Sequence, residues 1–292
     1  MSDKSSSARS VWTSWLVEYS IEEALEIFYL NGFRHLELSV EHFNECLARS
    51  GETAYLDETE SFKVRALALA DRGPVDLSAL APVNFVHAHG PFSPFNLQSP
   101  LECVRAVEIV KQWIKWCRKL DVKVLVCHPF TVKGLSWSEL EELNLRCFKE
   151  LSTEARECGI LLAVENMGWG YGSRVEHLLR IIEECDDVAA CVDTGHANLN
   201  AYRGVVDKMV AELGGNVAAT HLSDNDGSWD QHVFPGRGSI DWKSVFKAFE
   251  AIGYSKPLNF EIPGETRECP DPSRRMEHLS SMIDNLRSRY SR

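Results

Sequence analysis

The chain has 292 residues, 44% of them hydrophobic and 25% charged, with a formal net charge of −12. Those values suit a large globular core that needs no staple, and the acidic balance argues against phosphate-backbone binding over the whole surface. Nine cysteines, without a Cys-x-x-Cys pair, make no disulfide framework and fit a reducing, cytoplasmic setting.

Residues 1–10 are polar and Ser-rich with no apolar h-region, which reads as a flexible tail rather than a signal peptide. Residues 11–292 then read as one domain. Strand-like runs occupy 11–16, 34–38, 64–69, 84–89, 122–128, 160–165, 188–193, 217–222 and 258–262. Helical periodicity covers 21–30, 101–120, 138–158, 175–185, 205–213, 242–252 and 274–289. Asn31-Gly32, Gly159 and Gly253 each follow a periodic stretch and precede a strand, as helix stops do. No run approaches the roughly 20 apolar residues of a membrane span.

Strand–helix alternation implies a parallel sheet, and about eight units imply an α/β fold of the (β/α)8 TIM barrel type. No Gly-x-Gly-x-x-Gly turn follows the first strand, so a dinucleotide fold is not indicated. Nine strand runs are one too many for this barrel. Either 64–69 or 84–89 is surplus, and the sequence leaves that choice open.

The chemistry lies at the run ends. Leu161-Leu162-Ala163-Val164 leads into Glu165, Ala189-Ala190-Cys191-Val192 into Asp193, Val217-Ala218-Ala219-Thr220 into His221, and Pro257-Leu258-Asn259-Phe260 into Glu261. Buried charges are costly unless paired or metal-bound, and barrel chemistry sits at the C-terminal strand ends. The intervals of 28, 28 and 40 residues match successive barrel units of about 31. One divalent ion held by Glu165, Asp193, His221 and Glu261 is the expectation. Mixed oxygen and nitrogen donors suit manganese, cobalt, zinc or magnesium.

More such residues stand beside these four: His196 in Asp-Thr-Gly-His, His128 in Val-Cys-His-Pro, His89 in His-Ala-His-Gly, and Asp230 and His232 after His221. His87 sits one pleat deeper than His89 and reads equally as a structural residue. Trp169, Trp229, Phe92 and Phe95 are candidates for a pocket wall.

At these motifs the chain resembles the xylose isomerase-like barrel superfamily. That group holds sugar phosphate isomerases and epimerases and the endonuclease IV type of apurinic/apyrimidinic endonuclease. Val164-Glu165-Asn166, Val192-Asp193-Thr194-Gly195-His196, Thr220-His221-Leu222-Ser223-Asp224-Asn225-Asp226-Gly227, Asp230-x-His232-x-x-Pro235-Gly236-x-Gly238-x-Ile240-Asp241-Trp242 and Phe260-Glu261-Ile262 carry it.

The isomerase branch implies one metal on Glu165, Asp193, His221 and Glu261. The two glutamates would act as acid and base in proton transfer through an enediolate, and His196 would orient a substrate oxygen. The endonuclease branch implies up to three zinc ions on His89, His128, Glu165, Asp193, His196, His221, Asp230, His232 and Glu261. All nine have the required chemical type.

The resemblance therefore implies a metal-dependent isomerase or epimerase of a sugar or polyol. A multinuclear phosphodiester hydrolase acting on abasic DNA is the alternative, and a silent sugar-binding barrel the third reading. Expected partners are a small sugar or polyol and allow a homo-oligomer, with neither membrane nor nucleic acid. Two departures bear on the substrate: Gly227 replaces an arginine of ketose epimerases, and Arg237 stands where relatives are often acidic. Arg237 is expected to meet a substrate carboxylate or phosphate, and Trp169 is the other expected substrate-binding residue.

Overall fold

The computed structural model describes residues 9–76, 83–92, 94 and 97–290. Residues 1–8 of the expected tail, and Phe95, lie outside them. Eight parallel strands run in the order β7-β6-β5-β4-β3-β2-β1-β8. They are β1 (Arg9–Trp12), β2 (His35–Leu38), β3 (Asn84–His89), β4 (Val124–Cys127), β5 (Leu161–Glu165), β6 (Val188–Asp193), β7 (Val217–His221) and β8 (Leu258–Phe260). The remaining gap is bridged by Leu222 and Phe260, with the Leu222 amide donating to the Asn259 carbonyl at 2.8 Å. The expected (β/α)8 barrel is the observed fold. Arg9 and Ser10, read as tail, belong to β1, where Ser10 pairs with Asn259 of β8.

The helices are α1 (Ile21–Leu30), α2 (Val40–Arg49), α3 (Glu60–Leu69), α4 (Pro100–Lys119), α5 (Trp137–Cys158), α6 (Val175–Glu184), α7 (Thr194–Ala197), α8 (Val206–Leu213), α9 (Trp242–Ala251) and α10 (Arg275–Tyr290). Reciprocal Ser20–Glu23 and Ser136–Glu139 capping boxes start α1 and α5. Gly159, at φ +70°, ends α5 in the left-handed conformation that glycine adopts without penalty.

The surplus strand run is resolved against 64–69. Those residues lie in α3, whose Arg65 crosses to Glu45 of α2 at 3.0 Å. Val-Arg-Ala-Leu-Ala-Leu mixes an alternating pattern with strong helix formers, and here helix propensity plus docking on α2 wins. The sequence reading also missed α2, whose His42, Asn44 and Glu45 are buried among its apolar residues. Polar residues on the packed face obscure the helical apolar period.

Alternation along the strands divides the core in two. Leu125, Cys127, Leu162, Val164, Ala190 and Val192 point outward under the helices. A smaller interior cluster of Val124, Val126, Ala163, Cys191 and Ala219 fills the lumen. The same inward parity continues to His128, Glu165, Asp193 and His221, so small lumen residues form a floor beneath the strand-end side chains. No described helix is long and apolar enough to cross a membrane.

Candidate metal centre

Glu165, Asp193 and His221 are the last residues of β5, β6 and β7, and Glu261 follows β8. The first three are 1%, 0% and 0% exposed, an expensive placement for charge unless it is compensated. His221 Nδ1 lies 3.0 Å from Glu165 Oε1 and 3.2 Å from Glu261 Oε2. One donor atom from each of Glu165, Asp193, His221 and Glu261 lies within 4.8 Å of the others. That is the span of donors around a single ion.

Among the described residues four further donor groups share members with this one: Glu37–His87–His221, His89–His221–Glu261, and one to either side of the centre. Glu165 Oε2 stands 3.5 Å from His89 Nε2 and 3.2 Å from His128 Nε2. Phe92 closes that side, its ring centroid 5.0 Å from His89 and 5.2 Å from His128. On the other side, Asp193, His196 and His232 converge. Asp230 Oδ2 receives both imidazoles, His196 Nε2 at 3.2 Å and His232 Nε2 at 3.0 Å. All nine residues singled out in the sequence thus meet at one end of the barrel.

Local structure explains how. Asp193 caps α7, accepting the His196 amide at 2.6 Å, so one side chain both starts the helix and faces the centre. Gly195 leaves room there for Ser223 Oγ, which a Cβ would displace. Asn166 stitches β5 to β6: it donates to the Asp193 carbonyl at 2.9 Å and accepts the Asp193 amide at 2.8 Å. Its own carbonyl meets His196 Nδ1 at 3.0 Å.

The loop from β7 to α9 folds around Asp224, which is fully buried. This carboxylate accepts from the amides of Asn225 at 2.9 Å and Gly236 at 2.9 Å, and from Trp242 Nε1 at 2.8 Å. That accounts for the Asp224 and Pro-Gly-x-Gly-x-Ile-Asp-Trp motifs. Val233 pairs back onto Asp224, which brings Asp230 and His232 over the barrel mouth. His232 takes φ +44°, a conformation costing about 1 kcal/mol or more for a non-glycine residue.

Electrostatics make the centre a single unit. Burial opposes the Glu165 charge, but His221, His128 and His196 hold its carboxyl well below the ordinary range. Burial raises Asp193 and Glu261 instead. Burial also opposes the charge on His89 and His232, yet Glu165 and Asp230 respectively outweigh it and lift each to about 9. Glu165 Oε2 and Asp193 Oδ2 are buried oxygens without a hydrogen-bond partner. A buried orphan of that kind calls for a missing partner, and the oxygen–nitrogen donor set fits a divalent cation.

The two expected substrate residues stand in loops after β5 and β7, at the same end of the barrel. Arg237 forms an ion pair with the buried Glu265 and lies 3.8 Å from Glu268. It lines a cavity with Phe234, His278 and Arg289. Trp169, in the loop after β5, is 57% exposed. Trp229 carries Arg267 over its ring.

Sequence reasoning passed over Glu37, which is buried at 1% exposure with Oε1 3.2 Å from His221 Nε2. The signal was present in the alternation of Leu36 and Leu38, which point outward and leave Glu37 facing the lumen. His87, left undecided, lies 3.5 Å from Glu37 Oε2.

The chain is 30% identical over 184 residues to the uncharacterized protein MJ1311 of Methanocaldococcus jannaschii, a match covering 59% of this chain. It spans 62% of that relative's length. A probable endonuclease 4 of Thermotoga neapolitana is 28% identical over 213 residues, covering 66% of this chain and 73% of that protein. Among solved structures, a D-tagatose 3-epimerase-like protein superposes with TM-score 0.68 and 25% identity, covering 97% of this chain and 99% of the other. The zinc-bound IOLI protein gives TM-score 0.73 at 17% identity, covering 97% and 99%, a likeness of fold. Residues 31–286 match the Xylose isomerase-like TIM barrel family, and the chain belongs to it.

Proposed function

We propose that this protein is a divalent-metal-dependent isomerase or epimerase of a sugar or sugar-derived polyol. The observation that carries the reading is the group Glu165, Asp193, His221 and Glu261, with both glutamates facing the same His221 nitrogen. Similarity to the D-tagatose 3-epimerase-like structure supports it. An ion held there, whether manganese, cobalt, zinc or magnesium, would act as a Lewis acid on substrate oxygens.

The remaining chemistry belongs to the protein. Glu165 and Glu261 come from β5 and the end of β8, so a substrate carbon over the centre has a carboxylate on either hand. One removes a proton and the other returns one, a contribution of about 10²–10⁴ in rate. The proposed role of His196 is to orient a substrate oxygen through Nε2, which would exchange its contact with Asp230 for the substrate, while Nδ1 stays on the Asn166 carbonyl. Trp169 offers an aromatic surface at the mouth for the apolar face of a sugar ring. The nine free cysteines fit the proposed cytoplasmic setting.

Incubation with a panel of ketoses and aldoses in deuterated water tests this. Deuterium incorporated at a carbon next to a carbonyl is expected. Its absence across a broad panel, with metal bound, would overturn the reading.

A second reading is favoured by the two additional donor groups, His89–His128–Glu165 and Asp193–His196–His232 with Asp230. Filled together with the first, they make a centre of up to three ions, suited to activating water against a phosphodiester. The relatives described as probable endonuclease 4 support it. Metal analysis separates the two: about one tight ion for the isomerase, two or three for the hydrolase. Nicking of an abasic-site duplex would establish the hydrolase.

A further inference from the structure

The underside of the centre holds a polar layer that neither reading uses. Ser10 on β1, Glu37 on β2, His87 on β3 and Asn259 on β8 all point into the lumen and are buried. Ser10 Oγ donates to Asn259 Oδ1 at 2.7 Å, and Asn259 Nδ2 donates to Glu37 Oε2. The other oxygen, Glu37 Oε1, lies 3.2 Å from His221 Nε2 as an ion-pair contact, and neither atom has a hydrogen-bond partner. Asn259 is tied a second time, its amide meeting Oγ1 of Thr220, the residue before His221, at 3.1 Å.

The direction of this chain of donors matters. Ser10 gives to Asn259, Asn259 gives to Glu37, and an ionised carboxylate can only accept. His221 has a carboxylate at each nitrogen: Nδ1 is hydrogen-bonded to Glu165 Oε1 at 3.0 Å and lies 3.2 Å from Glu261, while Nε2 lies beside Glu37. An ion taken up at Nδ1 would displace the proton there and leave the ring's one proton on Nε2, against Glu37. A carboxylate behind a ligating imidazole fixes ring orientation and raises donor strength, and its loss typically weakens metal binding about 10–100-fold.

We infer that Glu37 is a positioning residue for the metal centre, a buried carboxylate that holds His221 with Nδ1 toward the ion and couples that ligand to the β1–β8 closure through Asn259 and Ser10. The inference rests on the metal reading proposed above and is independent of which reaction the centre performs. His87 packs against the same unit, its ring centroid 5.5 Å from that of His221.

The test compares the parent with Glu37→Gln, which keeps the shape of the side chain but removes the charge. Zinc affinity is measured by chelator competition, and the cobalt-substituted protein is read by its visible absorption. Parent binding, an affinity loss of about 10–100-fold in Glu37→Gln and an altered cobalt spectrum are the expected results. Equal affinity and an unchanged spectrum would overturn the positioning role while leaving the metal centre standing. A parent that binds neither zinc nor cobalt would overturn the metal reading and this inference with it.

A purely structural role for Glu37 would lower the melting temperature of the metal-free protein without moving the cobalt spectrum, and that outcome also overturns the inference. Should Glu37→Gln not fold, Asn259→Ala decides, since it frees Glu37 Oε2 while leaving the carboxylate. A smaller affinity loss with a shifted spectrum supports the inference, and parental values overturn it.

Discussion

Glu261 has one carboxylate oxygen 3.2 Å from His221 and a side chain 14% exposed, the most open of the four central donors. It is therefore the group best placed to exchange protons with a bound substrate. Glu261→Gln should lower turnover by about 10²–10⁴-fold, measured as the rate of deuterium exchange or strand nicking. If the chain only bound sugars, the same variant would leave binding largely intact and there would be no turnover to lose.

Gly195 is sensitive for a different reason. A methyl at that position runs into Ser223 Oγ and sits 3.3 Å from Asp193 Oδ1. Gly195→Ala should destabilise the fold by about 1–3 kcal/mol and weaken metal binding in the same protein. A normal melting temperature with parental zinc affinity would show that the turn has room to yield.

At the scale of elements, the loop between β7 and α9 depends on one side chain. Asp224 accepts three well-formed hydrogen bonds, and a longer contact from the Ile240 amide at 3.3 Å, on its two oxygens. An amide in its place turns two donors against the donors of the loop. Asp224→Asn should cost about 3 kcal/mol or more, since bonds to a buried charge are worth about 1.5–3 kcal/mol each. The consequence for the site is selective. Asp230 and His232 depend on this loop, whereas Glu165 and Asp193 are held by β5 and β6, so the variant should lose metal at the His196–His232 side first. Metal analysis of the variant against the parent checks this, and an unchanged ion count would mean that the loop is held by other contacts.

For the whole molecule, the centre gives opposite pH responses with and without metal. His89 and His232 are each lifted from the ordinary 6.5 to about 9 in the metal-free fold. A raised folded value stabilises fully below the unfolded value and fades as pH climbs through the folded one. The metal-free protein should therefore lose stability between about pH 6.5 and 9. The loaded protein should not, because its ligands bind deprotonated and protons compete with the ion. Raised values at Asp193 and Glu261 extend that competition on the acid side.

His42 adds an acid limit common to both forms. Burial and the nearby Arg65 lower it from 6.5 to about 3, so its contribution is complete above about 6.5 and is lost as pH falls toward 3. Thermal melts of both forms across this range test the signs, and parallel profiles would count against a metal at these residues. At about 100 times its dissociation constant, the ion adds about 2.7 kcal/mol. For a chain of 292 residues that corresponds to a rise of about 4 °C in melting temperature.

The barrel and nine of its polar strand-end and loop residues were legible in the chain because both follow short periods. Apolar runs of strand length alternate with helical stretches, and a carboxylate or imidazole ending such a run cannot be explained by packing alone. Local signals also announced the stops at Gly159 and Gly253. Three matters required the tertiary structure. Residues 64–69 carry a pattern compatible with either strand or helix, and docking on α2 decided it. Arg237 meets its partner only in the fold, where Glu265, 28 residues away, pairs with it. Glu37 lies inside its strand, not at the end of an apolar run. Its meaning comes from His221 and Asn259, which are 184 and 222 residues distant and become neighbours only when the barrel closes.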